Sequence, residues 1–116
     1  MAKITVYQKP SCSTCRSVHK ILVEKGVDAE YVDYYIEAIP KAKLKDLLRK
    51  MGMNAKELLR TKEPIYKALQ LGEQSLSEEE IIDLMVRYPD LIQRPIIEKG
   101  NKAILARPAE RLSDFL

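Results

Sequence analysis

The first third of the chain alternates strand and helix signals in an order that few folds permit. Residues 3–7 alternate polar with β-branched or aromatic side chains, which predicts a strand that Pro10 ends. Over residues 13–25 apolar side chains recur at helical spacing, and Gly26 is a stop signal. Residues 29–34 predict a second strand. Because a helical crossover between strands is almost always right-handed, these two strands are expected to be parallel partners in one sheet.

The middle of the chain, roughly residues 40–90, has the signals of a helical block. Leucines at helical spacing precede Gly52, which predicts one helix with a glycine at its end. Capping boxes at residues 54–57 and 77–80 mark two further helix starts. Pro64 is well placed in the first turn of another short helix. We therefore expect several short helices between the second and third strands.

The last quarter of the chain predicts a hairpin and a closing helix. Residues 95–98 and 103–106 read as antiparallel strands, and the Lys-Gly-Asn-Lys segment at 99–102 joins them with a turn. A final helix is expected over residues 108–116. The order βαβ, helices, ββα predicts an α/β, thioredoxin-like fold, with a four-stranded mixed sheet flanked by helices. The helical block at about 40–90 is then an insertion, and all 116 residues form a single domain.

Charge and hydropathy exclude several classes of partner. The chain has 20 Lys and Arg against 17 Asp and Glu, and the basic residues are dispersed, so nucleic acid is not expected as a ligand. No apolar run approaches the ~18 residues that a membrane span needs, and a cytoplasmic protein without a membrane partner is expected. In a reducing cytosol a cysteine pair is more often catalytic, redox-sensing or metal-bound than a permanent disulfide.

The two cysteines, Cys12 and Cys15, lie just after the first strand. A structural zinc site needs about four ligands, and these two with His19 supply three, so we expect no metal. Cys12 falls at the predicted helix N-terminus, where free backbone N–H groups and the helix dipole favour a thiolate, and Arg16 adds a cation. Cys15, one turn on, is placed to attack an adduct formed at Cys12. Two ordinary half-buried cysteines remain the alternative.

Three arginines stand out by their sequence context. Arg94 and Arg107 each precede a proline, which favours extended backbone, and they flank the predicted hairpin. Both are therefore able to reach one edge of the sheet. Arg60 follows the short helix of the first capping box. Arginine forks donate paired hydrogen bonds to oxyanions, although any single arginine is more often a solvated surface charge.

Longer motifs carry a resemblance to a known family, and they run from about residue 3 to residue 115. The motifs are Tyr7-x-x-Pro10-x-Cys12, Gly52-Met-x-x-x-x-Leu58-Leu-Arg60, Arg94-Pro95-Ile and Arg107-Pro108. With these motifs the chain resembles the glutaredoxin-coupled arsenate reductases, whose relatives include the Spx-type transcriptional regulators.

The resemblance implies that Cys12 attacks arsenate or a similar oxyanion, that Arg60, Arg94 and Arg107 bind it, and that Pro95 is a cis-proline. It also implies glutathione as co-substrate, glutaredoxin or thioredoxin as the recycling partner, and no bound cofactor.

The sequence departs from the reductase pattern at two positions. Gln8 stands where well-known arsenate reductases have a histidine, and Cys15 stands where they tend to lack a second cysteine. The Spx-type regulators do carry a C-x-x-C at this place. Three functions stay open: an arsenate reductase-like oxidoreductase, an Spx-type redox regulator that contacts RNA polymerase, and a general thiol-disulfide reductase that uses Cys12 and Cys15. The regulator hypothesis is motivated also by Gly52 and Arg60.

Overall fold

The computed structural model describes residues 3–9, 11–107 and 109–115. The described residues form two compact units. The sheet unit comprises the residues through Glu37 together with those from Arg94 onward, and the helical unit is Ala38–Gln93. The helical unit corresponds to the predicted insertion at about 40–90. The expectation of a single domain stays a prediction.

The sheet unit is built on four strands in the order β2-β1-β3-β4. The strands are β1 (Ile4–Gln8), β2 (Ala29–Asp33), β3 (Ile96–Lys99) and β4 (Lys102–Leu105). β1 pairs in parallel with β2 and antiparallel with β3, which pairs antiparallel with β4. The predicted four-stranded mixed sheet is confirmed, and each strand end lies within one residue of the expected position. Pro10, the expected end of the first strand, lies outside the described residues.

Helix α1 (Ser13–Glu24) connects the two parallel strands. Its buried side chains, Cys15, Val18 and Leu22, follow the helical spacing of the sequence. The chain leaves the helix through Gly26, whose φ of 65° is in the left-handed region that glycine adopts without strain. The strand, turn and helix that carry the cysteines therefore form as predicted.

The helical unit contains four short α-helices and two 3₁₀ turns. They are α2 (Lys41–Met51), α3 (Ala55–Leu58), α4 (Pro64–Ala68), a 3₁₀ turn at Leu71–Glu73, α5 (Glu78–Arg87) and a 3₁₀ turn at Pro89–Leu91. Both predicted capping boxes are formed in full, at the starts of α3 and α5. Gly52 is the left-handed C-cap of α2, with a φ of 67°.

The chain ends in a 3₁₀ turn at Ala109–Arg111 that leads into α6 (Leu112–Phe115). The sequence predicted one continuous helix there, and its expected limits, Pro108 and Leu116, lie outside the described residues. The core of the sheet unit joins this segment to α1 and the sheet. Its buried residues are Ile4, Val6, Val18, Leu22, Ile97, Ala106, Ala109 and Leu112. Each fully buried Leu, Ile or Val in this set contributes roughly 1.5–3 kcal/mol.

Among the described residues, no helix has the length and apolar character that a membrane crossing requires.

Candidate active site

Cys12 is the N-cap residue of α1 and is half-buried. Its backbone N–H donates to the carbonyl oxygen of Lys9 at 2.9 Å, and its own carbonyl accepts from the Arg16 N–H at 3.0 Å. The backbone N–H groups of Thr14 and Cys15 lower the pKa of this thiol, although Cys12 makes no side-chain N-cap hydrogen bond. The helix start therefore directs its unpaired donors at this sulfur, as the sequence predicted.

The Cys12 thiol is acidic. Burial raises its pKa, but this effect is outweighed by the two backbone N–H groups, by the thiol of Cys15 and by the positive charge of Arg94. Together they lower the pKa of Cys12 from 9.0 to about 7. A large share of Cys12 is therefore an ionised nucleophile near neutral pH.

Cys15 has the opposite character. It is 1% exposed, and burial is the main reason why its pKa rises from 9.0 to about 12. The hydrogen bond and negative charge of Cys12 raise this pKa further, whereas the backbone N–H of Lys9 lowers it. Cys15 is thus a neutral thiol that donates to the Cys12 thiolate.

Arg94 is a buried cation in the sheet unit. It is 5% exposed, and it lies directly before Pro95, to which it is joined by a cis peptide bond. The cis bond confirms what the family resemblance implied. Within the described residues its Nε has no hydrogen-bond partner, and the guanidinium makes no ion pair with a carboxylate. Its positive charge acts on Cys12 and lowers the pKa of that thiol.

Two tyrosines that follow β2 contact the Arg94 guanidinium. Its Nη1 donates to the Tyr35 hydroxyl at 3.3 Å, and its Cζ lies 5.9 Å from the centre of the Tyr35 ring. Tyr34, 1% exposed, interacts with Arg94 by charge and by a side-chain hydrogen bond. Burial raises the pKa of Tyr34 well above its usual range, so its hydroxyl stays protonated. Sequence reasoning missed both tyrosines.

Lys9 also belongs to this neighbourhood and was not predicted. Its Nζ lies 4.7 Å from the centre of the Tyr35 ring. The signal that was available is position: Lys9 follows β1, and the two tyrosines follow the parallel strand β2. Carboxyl ends of parallel neighbours lie at the same edge of a sheet, so residues that follow them are brought together.

Arg107 contacts the backbone of Arg94. Its Nη1 donates to the Arg94 carbonyl oxygen at 3.0 Å, and the side chain is half-buried. The structure thus brings the two arginines that precede prolines into contact, as their positions around the hairpin suggested. Their role in binding an oxyanion stays a prediction.

Arg60 belongs to the helical unit. Its backbone N–H donates to the carbonyl oxygen of Leu91 at 2.7 Å, and a one-residue β-bridge joins Leu59 to Ile92. The side chain is paired: Nε lies 2.7 Å from the Oε1 atom of Glu63. This ion pair was not predicted, although the spacing of three residues permits it, and the proposed anion-binding role of Arg60 stays a prediction.

A cavity of about 220 Å³ adjoins Cys15. It is lined by Gln8, Cys15, Arg16, His19 and Tyr31. Arg16 and His19 are exposed, and the His19 ring meets the Tyr31 ring edge-on at 5.0 Å between centroids.

The charge of Arg94 lowers the Cys12 pKa, and the contribution predicted for Arg16 stays a prediction. In the described ranges no group of three or more His, Cys, Asp or Glu could hold a metal ion.

The chain is similar to known proteins over nearly its whole length. Residues 7–115 match the ArsC family. The chain is 32% identical over 117 residues to an arsenate reductase of Neisseria meningitidis, and the match covers 100% of both proteins. It is 42% identical over 115 residues to an uncharacterized Escherichia coli protein, YfgD, with 98% of this chain and 97% of that one covered.

The fold matches solved structures equally well. The structure of an arsenate reductase from Vibrio cholerae superposes with a TM-score of 0.93 at 30% identity, and the match covers 99% of this chain and 98% of that chain. The thioredoxin-like sheet with flanking helices is the fold of these enzymes. On sequence and structure together, the chain belongs to the ArsC family.

Proposed function

We propose that the protein is a thiol-dependent arsenate reductase in which Cys12 is the nucleophile. The supporting observation is the pairing of an acidic thiol with a buried cation: the charge of Arg94, which is 5% exposed, helps to lower the pKa of Cys12 to about 7. Attack on an oxyanion needs a thiolate as nucleophile and a cation such as a guanidinium to bind the substrate oxygens. Membership in the ArsC family and the arsenate reductase relatives support the same substrate class.

In this proposal the arginines bind the substrate oxygens. The buried Arg94 supplies its Nε donor and its charge, and Arg107 is held against it through the Arg94 carbonyl. Arg60 belongs to the helical unit and is paired with Glu63, and its role as a further oxyanion ligand stays a prediction. Guanidinium groups suit arsenate because two parallel N–H donors match two oxygens of a tetrahedral anion.

The first chemical step forms a sulfur–arsenic bond. The Cys12 thiolate attacks arsenic(V), an arsenic–oxygen bond breaks, and the departing oxygen leaves as water after it takes up protons. In the second step a thiol attacks the Cys12 sulfur. The sulfur–arsenic bond breaks, the electron pair stays on arsenic, and arsenic(III) leaves as arsenite. The two sulfurs, each oxidised by one electron, are left as a disulfide.

The attacking thiol in the second step has two sources in the proposal. With glutathione the product is a mixed disulfide at Cys12, which glutaredoxin or thioredoxin then reduces. With Cys15 the product is an internal disulfide, and the hydrogen bond between the two cysteines supports this route. Both cysteines are free thiols, which suits a reducing compartment such as the cytoplasm.

The activity is tested with arsenate-dependent NADPH oxidation in the presence of glutathione, glutaredoxin and glutathione reductase. Wild-type protein is expected to consume NADPH only when arsenate is present. Cys12→Ser is the matched control, because a serine hydroxyl has the same shape but does not ionise near neutral pH. A wild-type rate no higher than that of Cys12→Ser, with thioredoxin also tried as the recycling partner, would overturn the proposal.

The anion site is tested with Arg94→Lys. A lysine keeps the charge but loses the paired donors, so the KM for arsenate should rise about tenfold, the effect of one strong hydrogen bond. Arg111→Lys, at an exposed position, is the control and should behave as wild type. An unchanged KM in Arg94→Lys would remove Arg94 from the site.

A second candidate, a general thiol-disulfide reductase, is favoured by the Cys12–Cys15 contact. It predicts reduction of small disulfides without arsenate, with an internal disulfide as the oxidised product. The Spx-type hypothesis stays a prediction. Gly52, one of its motivating residues, has a structural reason in the left-handed cap of α2. A pull-down with the C-terminal domain of the polymerase α-subunit, with reduced and with oxidised protein, tests it.

A further inference from the structure

We propose that Tyr34 and Tyr35, here called the tyrosine clamp, position the Arg94 guanidinium beside Cys12 and thereby set the affinity of the site for its oxyanion. The inference deepens the proposed function and rests on it for the identity of the anion. It concerns residues that no motif of the sequence indicated.

A buried cation such as Arg94 needs partners that stabilise its charge. Arg94 is 5% exposed, and a buried charge is costly unless hydrogen bonds or an opposite charge stabilise it. In most proteins a carboxylate fills this role. Among the described residues Arg94 has no such ion pair, and its side-chain partners are the hydroxyls of Tyr34 and Tyr35 and the face of the Tyr35 ring.

The two tyrosines stabilise the Arg94 charge without neutralising it. A carboxylate would neutralise the guanidinium, whereas a phenol hydroxyl only accepts a hydrogen bond and an aromatic face only offers its quadrupole. The bond to Tyr35 uses Nη1, and Nε has no partner in the described part of the chain. An oxyanion next to Cys12 would satisfy that donor and pair with the charge.

Hydrogen bonds in the turn after β2 hold the tyrosine clamp in place. Asp33, the last residue of β2, accepts the Tyr35 N–H with its Oδ1 at 3.0 Å and the Glu37 N–H with its carbonyl oxygen at 2.9 Å. The two tyrosine rings lie 5.1 Å apart between centroids. The turn after β2 therefore presents both side chains in one fixed arrangement.

Tyr35 also connects Arg94 with the cysteine loop. Lys9, whose carbonyl accepts the Cys12 N–H, has its Nζ 4.7 Å from the Tyr35 ring centre, and Arg94 lies 5.9 Å from the same centre. One aromatic ring thus holds two cations that would otherwise repel each other. Of these two cations, Arg94 is the one whose charge lowers the Cys12 pKa.

The test measures anion binding without turnover. Cys12 is alkylated with iodoacetamide at increasing arsenate, and with sulfate as a second probe, to obtain the half-protecting concentration. The variants are Tyr34→Phe, Tyr35→Phe and Tyr35→Leu, each compared by circular dichroism and urea unfolding. The control is Tyr88→Phe, in which the altered tyrosine also has an arginine, Arg87, over its ring, at 5.5 Å, but belongs to the helical unit.

We expect the half-protecting concentration to rise about tenfold in Tyr34→Phe and in Tyr35→Leu, the effect of a lost hydrogen bond to a charged group. Tyr35→Phe keeps the ring and should lie between wild type and Tyr35→Leu. Tyr88→Phe should match wild type. If Tyr34→Phe does not fold, the Tyr35 pair decides the outcome.

Unchanged protection in the folded clamp variants would overturn the inference, and so would an equal loss in Tyr88→Phe or a wild-type protein that neither anion protects. The proposed function fails separately. Wild-type protein that is protected by arsenate but never reduces it would refute the reductase and leave the clamp in place.

Discussion

At the scale of single residues, the two cysteines have opposite chemistry although they are three positions apart. Cys12 receives backbone donors and the influence of Arg94, whereas Cys15 is buried and faces the Cys12 thiolate. The spacing of the pair predicted this division, because only the first cysteine can occupy the helix N-terminus. The sequence could not predict how far the two pKa values differ, because this difference depends on the burial of Cys15 and on an arginine distant in sequence.

Titration of Cys12 should show this chemistry directly. The alkylation rate of Cys12 should rise with pH to a plateau, with a midpoint near the pKa of about 7. The folded pKa is below the ordinary 9.0, so the thiolate stabilises the fold at high pH, and this contribution is lost as the pH falls through about 7. Urea unfolding of wild type and Cys12→Ser, below the pKa of about 7 and above 9.0, shows whether the thiolate stabilises the fold. A midpoint close to 9.0 would show that the helix start does not stabilise the thiolate.

Replacement of Cys15 separates its two proposed roles. Cys15→Ala removes a thiol that donates to Cys12, so the Cys12 midpoint should move upward. Turnover with glutathione and glutaredoxin should persist, because glutathione can still attack the Cys12 adduct. Complete loss of that activity in a folded Cys15→Ala protein would mean that the internal disulfide is obligatory. Cys15→Ser, which retains a donor, is the comparison variant.

At the scale of elements, local signals determined most helix starts, whereas tertiary packing determined the conformation of the C-terminal segment. Both capping boxes and the glycine cap of α2 could be predicted because each is complete within a few residues. The C-terminal segment could not. Ala109 and Leu112 are buried against the core of the sheet unit, and a 3₁₀ turn forms where one helix was expected.

The capping box of α5 offers a stability prediction. Ser77 accepts the Glu80 N–H at 3.2 Å, and Glu80 accepts the Ser77 N–H at 3.1 Å. Ser77→Ala should lower the free energy of unfolding by about 1 kcal/mol, the usual effect of a lost N-cap. Ser75→Ala, an exposed serine in the preceding loop, is the matched control and should change little. Urea denaturation measures both, and equal stability of the two variants would contradict the cap.

At the scale of the whole chain, element order was sufficient to predict the sheet and its strand directions, because a right-handed crossover and a hairpin leave few alternatives. The candidate site was predicted only in part. Motifs made Cys12, Cys15 and the arginines candidates, and their roles stay predictions. The burial of Arg94 and its contact with the tyrosine clamp depend on distances between strands that no local pattern encodes. The pairing of Arg60 with Glu63 is a further contact that the motifs did not indicate.

The central claim is that Cys12 is an ionised nucleophile that attacks an oxyanion, and intact-protein mass spectrometry tests it most directly. Reduced protein is mixed with arsenate and a small excess of glutathione and is quenched with acid during the first turnover. Wild type should carry an arsenic or glutathione adduct on Cys12, or lack two hydrogens in a Cys12–Cys15 disulfide, and Cys12→Ser should carry none of these. Wild-type protein that stays unmodified, or modification that is equal in Cys12→Ser, would contradict the claim.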